Sequence, residues 1–151
     1  MTLVHKAWID AAPAEVWPWV ADPMRVGEWN PKLVSINRES SGELATGDTY
    51  TVLYRMNGRD SEFDAVVRRS EPPYRLEIEL REPGAPRDRV IVESYRLEDR
   101  EAGTRLVQRI DLSHAGIAWP WRLLMSFLTR FGTPKGKPYL LRLRELVEES
   151  V

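Results

Sequence analysis

Apolar and polar positions alternate with a period of two along much of the chain, and this pattern predicts strands. Leu3 to Ile9 alternates at the start. Phe63, Ala65 and Val67 face one way and Glu62, Asp64 and Arg68 the other. Leu76, Ile78 and Leu80 oppose Arg75, Glu77, Glu79 and Arg81, and Leu106, Gln108, Ile110 and Leu112 oppose Arg105, Arg109 and Asp111. Each reads as a strand with one buried and one wet face, as in an antiparallel sheet. Gly42, Pro72-Pro73, Pro83-Gly84-Ala85-Pro86 and Gly103 supply turns between Lys32 and His114. Asn57-Gly58, between Tyr50–Met56 and Arg59–Arg69, predicts a hairpin.

Helical signals occupy the two flanks. Pro13 suits the first turn of a helix that Ala14-Glu15-Val16-Trp17 continues. Pro18 removes a backbone donor there, which predicts a short, kinked or displaced helix. Asp22-Pro23 starts a second short helix that Asn30-Pro31 stops. Near the C-terminus, Trp121, Leu124, Met125, Leu128 and Phe131 recur at helical spacing. Gly132 to Pro138 breaks that pattern, and Tyr139 to Glu149 resumes it with Tyr139, Leu143, Leu146 and Val147 on one face. The expected fold is α+β: a strongly curved antiparallel sheet of about seven strands, two short helices after the first strand, and a long, broken C-terminal helix packed across the sheet.

The chain has 151 residues, which suits one domain over residues 1–151. Its net charge of −1 argues against a nucleic-acid partner. It has no cysteine, so disulfides, thiolate metal sites and Cys nucleophiles are excluded. The N-terminus lacks the apolar stretch of a signal peptide, and no apolar run reaches spanning length, so a cytoplasmic location is expected. HExxH, GxSxG, the P-loop and GxGxxG are absent. His5 and His114, without a supporting carboxylate cluster, read as strand-end residues at or near the surface, and no metal or cofactor is expected.

Ile9-Asp10-Ala11-Ala12-Pro13-Ala14-Glu15-Val16-Trp17, followed by Asp22-Pro23 and Glu28-Trp29-Asn30-Pro31, resembles the opening of the START-like superfamily. This superfamily, also called SRPBCC, includes the polyketide cyclase/dehydrase and lipid-transport branch. Glu71-Pro72-Pro73-Tyr74-Arg75-Leu76 and Gly103-Thr104-Arg105-Leu106 resemble its later turns. Pro18 and the Gly132–Pro138 break depart from the pattern. The resemblance implies a helix-grip fold, in which the sheet wraps the C-terminal helix and the space between commonly holds an apolar ligand.

Candidate chemistry concentrates on the strands. Tyr50 and Tyr54 alternate with Thr49 and Thr51, and with Trp29, Phe63 and Tyr95 they suit the lining of an apolar cavity edged by hydroxyls. Gln108 shares an apolar face with Ile110 and needs a polar partner there, either a ligand or a neighbouring Tyr hydroxyl. Met125 joins them from the C-terminal helix. The candidate ligand-binding set is Trp29, Tyr50, Tyr54, Phe63, Tyr95, Gln108, Ile110 and Met125. Glu93 alternates in register with Ile91 and Tyr95, but buried glutamates are rare, which favours an outward, solvated Glu93. Facing inward, it would be a buried acid with a raised pKa and a candidate general base.

Three functions compete. The leading one is binding or transport of a hydrophobic small molecule (a lipid, polyketide or isoprenoid-like compound) between sheet and C-terminal helix. The alternative is a polyketide cyclase/dehydrase-type enzyme using Tyr54, Glu93, Tyr95 and Gln108. The third is peripheral membrane handling of a lipid or quinone. It draws on the segment from Trp119 to Arg144, which has six basic residues and no Asp or Glu. The fold's need for this helix in its core favours packing over more than transient membrane contact. A monomer or homodimer fits each reading.

Overall fold

The structure, a computed structural model, describes residues 2–56, 58–115 and 139–151. Its seven strands are β1 (Thr2–Ile9), β2 (Leu33–Asn37), β3 (Thr49–Met56), β4 (Arg59–Glu71), β5 (Arg75–Arg81), β6 (Ile91–Arg100) and β7 (Gly103–Asp111). All neighbours are antiparallel, in the order β1-β7-β6-β5-β4-β3-β2. The described helices are α1 (Pro13–Ala21), α2 (Pro23–Trp29) and α3 (Tyr139–Ser150). The sheet curves, and the C-terminal helix packs across it. The break expected at Gly132–Pro138 and the stripe from Trp121 to Phe131 lie outside the described residues. No described helix is long and apolar enough to cross a membrane.

The expected turn chemistry sets the strand register. Met56 pairs with Arg59, so two residues separate β3 from β4, and Gly58 takes the positive φ of 74° that glycine tolerates. Helix α1 is short, as expected, and takes Pro18 within it, ending three residues later at Ala21. The missing Pro18 donor costs one helical bond. The carbonyl of Pro18 still accepts from the Asp22 N–H at 3.1 Å, and Glu15 Oε2 accepts from the Ala12 N–H at 3.0 Å. Asp22 then caps α2, its side chain accepting from the Met24 N–H at 3.0 Å.

The core lies where the inner sheet face meets the helices. It includes Ile9, Val16, Trp17, Val20, Leu76, Leu97, Leu106, Leu143 and Val147. On α3, Leu140, Leu143 and Val147 are buried, with Tyr139 and Leu146 packed beside them. Arg142 and Arg144 point away and pair with Glu145 at 3.5 Å and Glu148 at 3.1 Å, so two of the six basic charges counted toward the membrane reading are matched within the helix.

Fully buried Thr104 donates from Oγ1 to the Ala11 carbonyl at 2.7 Å, tying β7 to the loop before α1. Thr104→Val keeps the shape and orphans that carbonyl, and should cost about 1–3 kcal/mol. Urea denaturation checks it, and an unchanged midpoint would show that the bond contributes nothing net.

Candidate functional site

Cross-strand register assembles the polar site. His5 pairs with Gln108, Gln108 with Tyr95 and Tyr95 with Leu76, which makes one row across β1, β7, β6 and β5. The next row along runs Leu3, Ile110, Glu93, Ile78 and Val67. Because side chains alternate strictly, the buried Tyr95 and Leu97 carry Glu93 to the same inner face. Glu93 is therefore buried, at 8% exposure, which corrects the outward reading. Tyr95 inside and Glu93 outside were incompatible expectations for one strand.

The buried groups form a directed network. Tyr95 Oη–H donates to Glu93 Oε1, and Gln108 Nε2 donates to the same oxygen at 3.2 Å and to Tyr95 Oη at 3.1 Å. Tyr139 Oη–H donates to Gln108 Oε1. That donation fixes the amide so that its NH₂ points at Glu93. Having spent its proton on Gln108, Tyr139 accepts from His5 Nδ1 at 3.2 Å, which puts a hydrogen on that ring nitrogen. His5 is thus a half-buried, inward-facing residue in mid-strand, not the strand-end surface residue expected. His114 lies beyond β7 and is exposed, its carbonyl accepting from the Val90 N–H at 3.0 Å.

Aromatic packing holds the network. The Trp29 ring stacks on Tyr139 at 5.9 Å between centroids and meets Tyr95 edge-on at 6.4 Å. Trp29 Nε1 donates to the Trp19 carbonyl at 2.9 Å. His5 also meets Tyr139 edge-on at 5.5 Å, and Lys32 Nζ lies 5.8 Å over the Tyr139 ring.

Burial dominates the electrostatics. It pushes the Glu93 carboxyl up from the ordinary 4.5, against the opposing bonds from Tyr95 and Gln108 and the more distant charge of Lys32. It raises the hydroxyls of Tyr50, Tyr54, Tyr95 and Tyr139, with the Glu93 charge adding to each. His5 is pushed down by burial and then by Lys32, against a bond it donates to Gln108.

A native carboxyl that holds its proton more tightly than the unfolded one contributes stability at acid pH. That contribution fades as pH rises above about 4.5 toward the raised native value. Glu93→Gln removes the fading. The stability of the variant minus that of the wild type should therefore grow with pH above that point, by at most about 1.4 kcal/mol per pH unit. Denaturation curves from mildly acid to neutral pH check this. His5, whose lowered value makes stability rise with pH, is common to both proteins, so the difference isolates Glu93. A flat difference would contradict the assignment.

Beside the network, α1, α2, the loop before β3 and strands β2, β3, β5 and β6 enclose a pocket with about 20 Å³ of free volume, enough for one ordered water. Its lining includes Val20, Val26, Leu33, Leu44, Tyr50, Tyr54, Glu93 and Tyr95. Of the expected set, Tyr50, Tyr54 and Tyr95 therefore stand together around Glu93. Phe63 is buried and faces Tyr54 at 6.1 Å between centroids, outside this lining. Trp29 is a core strut rather than a pocket wall. Gln108 lies behind Glu93 and holds it, and its neighbour Tyr hydroxyls are the partners it needed. Ile110 is half-buried, paired with Leu3 and Glu93. Met125 lies outside the described residues. Sequence reasoning missed the apolar wall from α1 and α2, along with His5 and Tyr139. The alternation of β1 carried the signal for His5, because Ile9 and Ala7 share its face.

A curved antiparallel sheet closed by helices, with an acid and tyrosines set into an apolar interior, defines a START-like, helix-grip protein. The chain belongs to the family described as polyketide cyclase / dehydrase and lipid transport, which matches residues 2–148. Among solved structures it is similar to protein NE0264 from Nitrosomonas europaea, with a TM-score of 0.70, 16% identity, and 99% of this chain and 96% of that one covered. Protein MLL2253 from Mesorhizobium loti matches with a TM-score of 0.68 and 18% identity over 100% of this chain and 99% of that one. DynU16, a protein in the dynemicin biosynthetic locus, matches with a TM-score of 0.63 and 21% identity over 99% of this chain, which spans only 48% of DynU16. At these identities the likeness establishes the fold alone. No curated protein matches the sequence significantly.

Proposed function

We propose that the protein binds a hydrophobic small molecule in the pocket between the sheet and helices α1 and α2, with the polar end of the ligand at Glu93, Tyr54 and Tyr95. The observation that carries this reading is a carboxyl group placed among apolar side chains at the pocket wall, where a merely structural core would favour an apolar residue. The family description and the locus of DynU16 support a ligand of lipid or polyketide type. A ligand skeleton needs several hundred Å³. Its entry therefore widens a pocket that in this state holds about 20 Å³.

Native mass spectra of freshly purified protein should show an extra mass that denaturation removes, and its identification would name the ligand class. A bare mass, with no adduct after incubation with medium-chain ketones and alcohols, would overturn the reading.

The inward Glu93 also favours a second reading, proton transfer of the cyclase/dehydrase type. Tyr95 and Gln108 orient Glu93 Oε1, and the acid serves as the proton-transferring group. Once a ligand is in hand, Glu93→Gln should abolish its conversion while binding persists. Unchanged turnover would remove the enzyme reading and leave the binding one.

A further inference from the structure

The network described above treats the two oxygens of Glu93 unequally. Tyr95 and Gln108 both donate to Oε1, and no donor among the described residues meets Oε2. The carboxyl belongs to the pocket lining, where apolar Val20, Val26, Leu33 and Ile78 stand beside Tyr50 and Tyr54. An ionised carboxylate spreads its charge over both oxygens, and no donor among the described residues would meet the half on Oε2. A neutral acid matches the surroundings atom for atom: a carbonyl oxygen at Oε1 receiving two hydrogen bonds, and a hydroxyl at Oε2.

The charged and titratable neighbours agree. Among the described residues, Lys32 is the one cation that bears on Glu93. It is solvent-exposed, and its Nζ sits over the Tyr139 ring without an ion pair to the carboxyl. Tyr50, Tyr54, Tyr95 and Tyr139 all hold their protons, and His5 is kept neutral by its own burial. The directed chain from His5 through Tyr139 to Gln108 presents only donors to Oε1. With the proton on Oε2, the carbonyl lone pairs of Oε1 answer both donors.

We propose that Glu93 is a neutral acid with its proton on Oε2, and that this O–H selects ligands carrying an uncharged acceptor, a ketone-type carbonyl oxygen, on an apolar skeleton. Gln108 and Tyr139 act as positioning residues, since they fix which oxygen is free. A single carbonyl oxygen also suits a space with room for about one water-sized group. This inference rests on the pocket reading above and adds the chemical class of the ligand's polar group.

The test compares two probes with one skeleton, 2-nonanone and 2-aminononane, on the full chain at neutral pH. The ketone should bind at least about tenfold more tightly, the effect of one good hydrogen bond over a desolvated cation. Infrared difference spectra of wild type against Glu93→Gln should show a protonated-carboxyl band that shifts when 2-nonanone is added. Glu93→Gln, which retains a donor in place of Oε2–H, should keep the ketone preference. Preference for the amine, or the absence of a carboxyl band removed by Glu93→Gln, would mean an ionised Glu93 and would overturn the inference while leaving the pocket intact. Binding of neither probe would overturn both.

Discussion

Replacing Trp29 with alanine should destabilise the protein by about 4 kcal/mol, within the range for deleting a buried tryptophan. Trp29 is 2% exposed and is the last residue of α2, a helix of 7 residues that is too short to persist without tertiary support. Its ring stacks on Tyr139 of α3 and meets Tyr95 of β6 edge-on, so one side chain joins three elements. The substitution leaves a cavity and strips the Trp19 carbonyl of the donor that met it at 2.9 Å. For a chain of this length the loss corresponds to a fall in Tm of roughly 8–16 °C. Trp29→Phe keeps most of the ring contact and loses the hydrogen bond, so it should cost about 1–2 kcal/mol. Denaturant titration of both variants checks the ranking. A loss under about 1 kcal/mol for the alanine variant would show that α2 docks without this strut.

The second large effect is expected at Gly103, where β7 begins. A methyl group added there would stand 2.5 Å from Trp8 Cζ2 and 2.7 Å from the Ile9 carbonyl oxygen. The Trp8 side chain is partly exposed and has room to turn. The Ile9 carbonyl belongs to the backbone of the neighbouring strand, and Ile9 itself is wholly buried. Gly103→Ala must therefore push β1 away from β7 at the point where Ile9 pairs with Thr104. The expected cost is about 2–3 kcal/mol, typical of overpacking a site that cannot relax. Thermal unfolding would measure it, and a drop in Tm below about 2 °C would show that the backbone yields more readily than its packing suggests.

Much of the fold was legible because its signals are local. Strand alternation, the tight β3–β4 hairpin with its positive-φ Gly58 and the Asp22-Pro23 helix start each depend on a few adjacent residues, and each appears where the sequence places it. Pro18 signalled a short helix, and tertiary packing of Val16, Trp17 and Val20 carries that helix past the missing bond to Ala21. The site was only half legible. Tyr50, Tyr54 and Tyr95 followed from alternation, but Glu93 was judged by the average cost of burying a carboxylate instead of by the strand it belongs to. A strand cannot turn one residue outward while its neighbours two positions away face inward, so the two core residues after Glu93 decided its orientation. His5 and Tyr139 lie 134 positions apart, and no local pattern announces their contact.

The order of the sheet has a consequence for how the chain folds as it is made. β1 is an edge strand whose strand partner is β7, and Thr2 meets Asp111 only after about a hundred further residues have been synthesised. At roughly 5–20 residues per second, the first strand waits several seconds with its apolar face and both hydrogen-bonding edges uncommitted. The strands from β2 to β6 form successive hairpins and do not need it. The His5–Gln108 pairing is therefore a late, non-local event, paid for in loop closure before it returns any energy. His5, at the outer end of the hydrogen-bond chain that reaches Glu93 through Tyr139 and Gln108, joins only in the step that completes the sheet, so a chain stalled before that step holds Tyr95 and Gln108 against Glu93 without the His5 donor behind them.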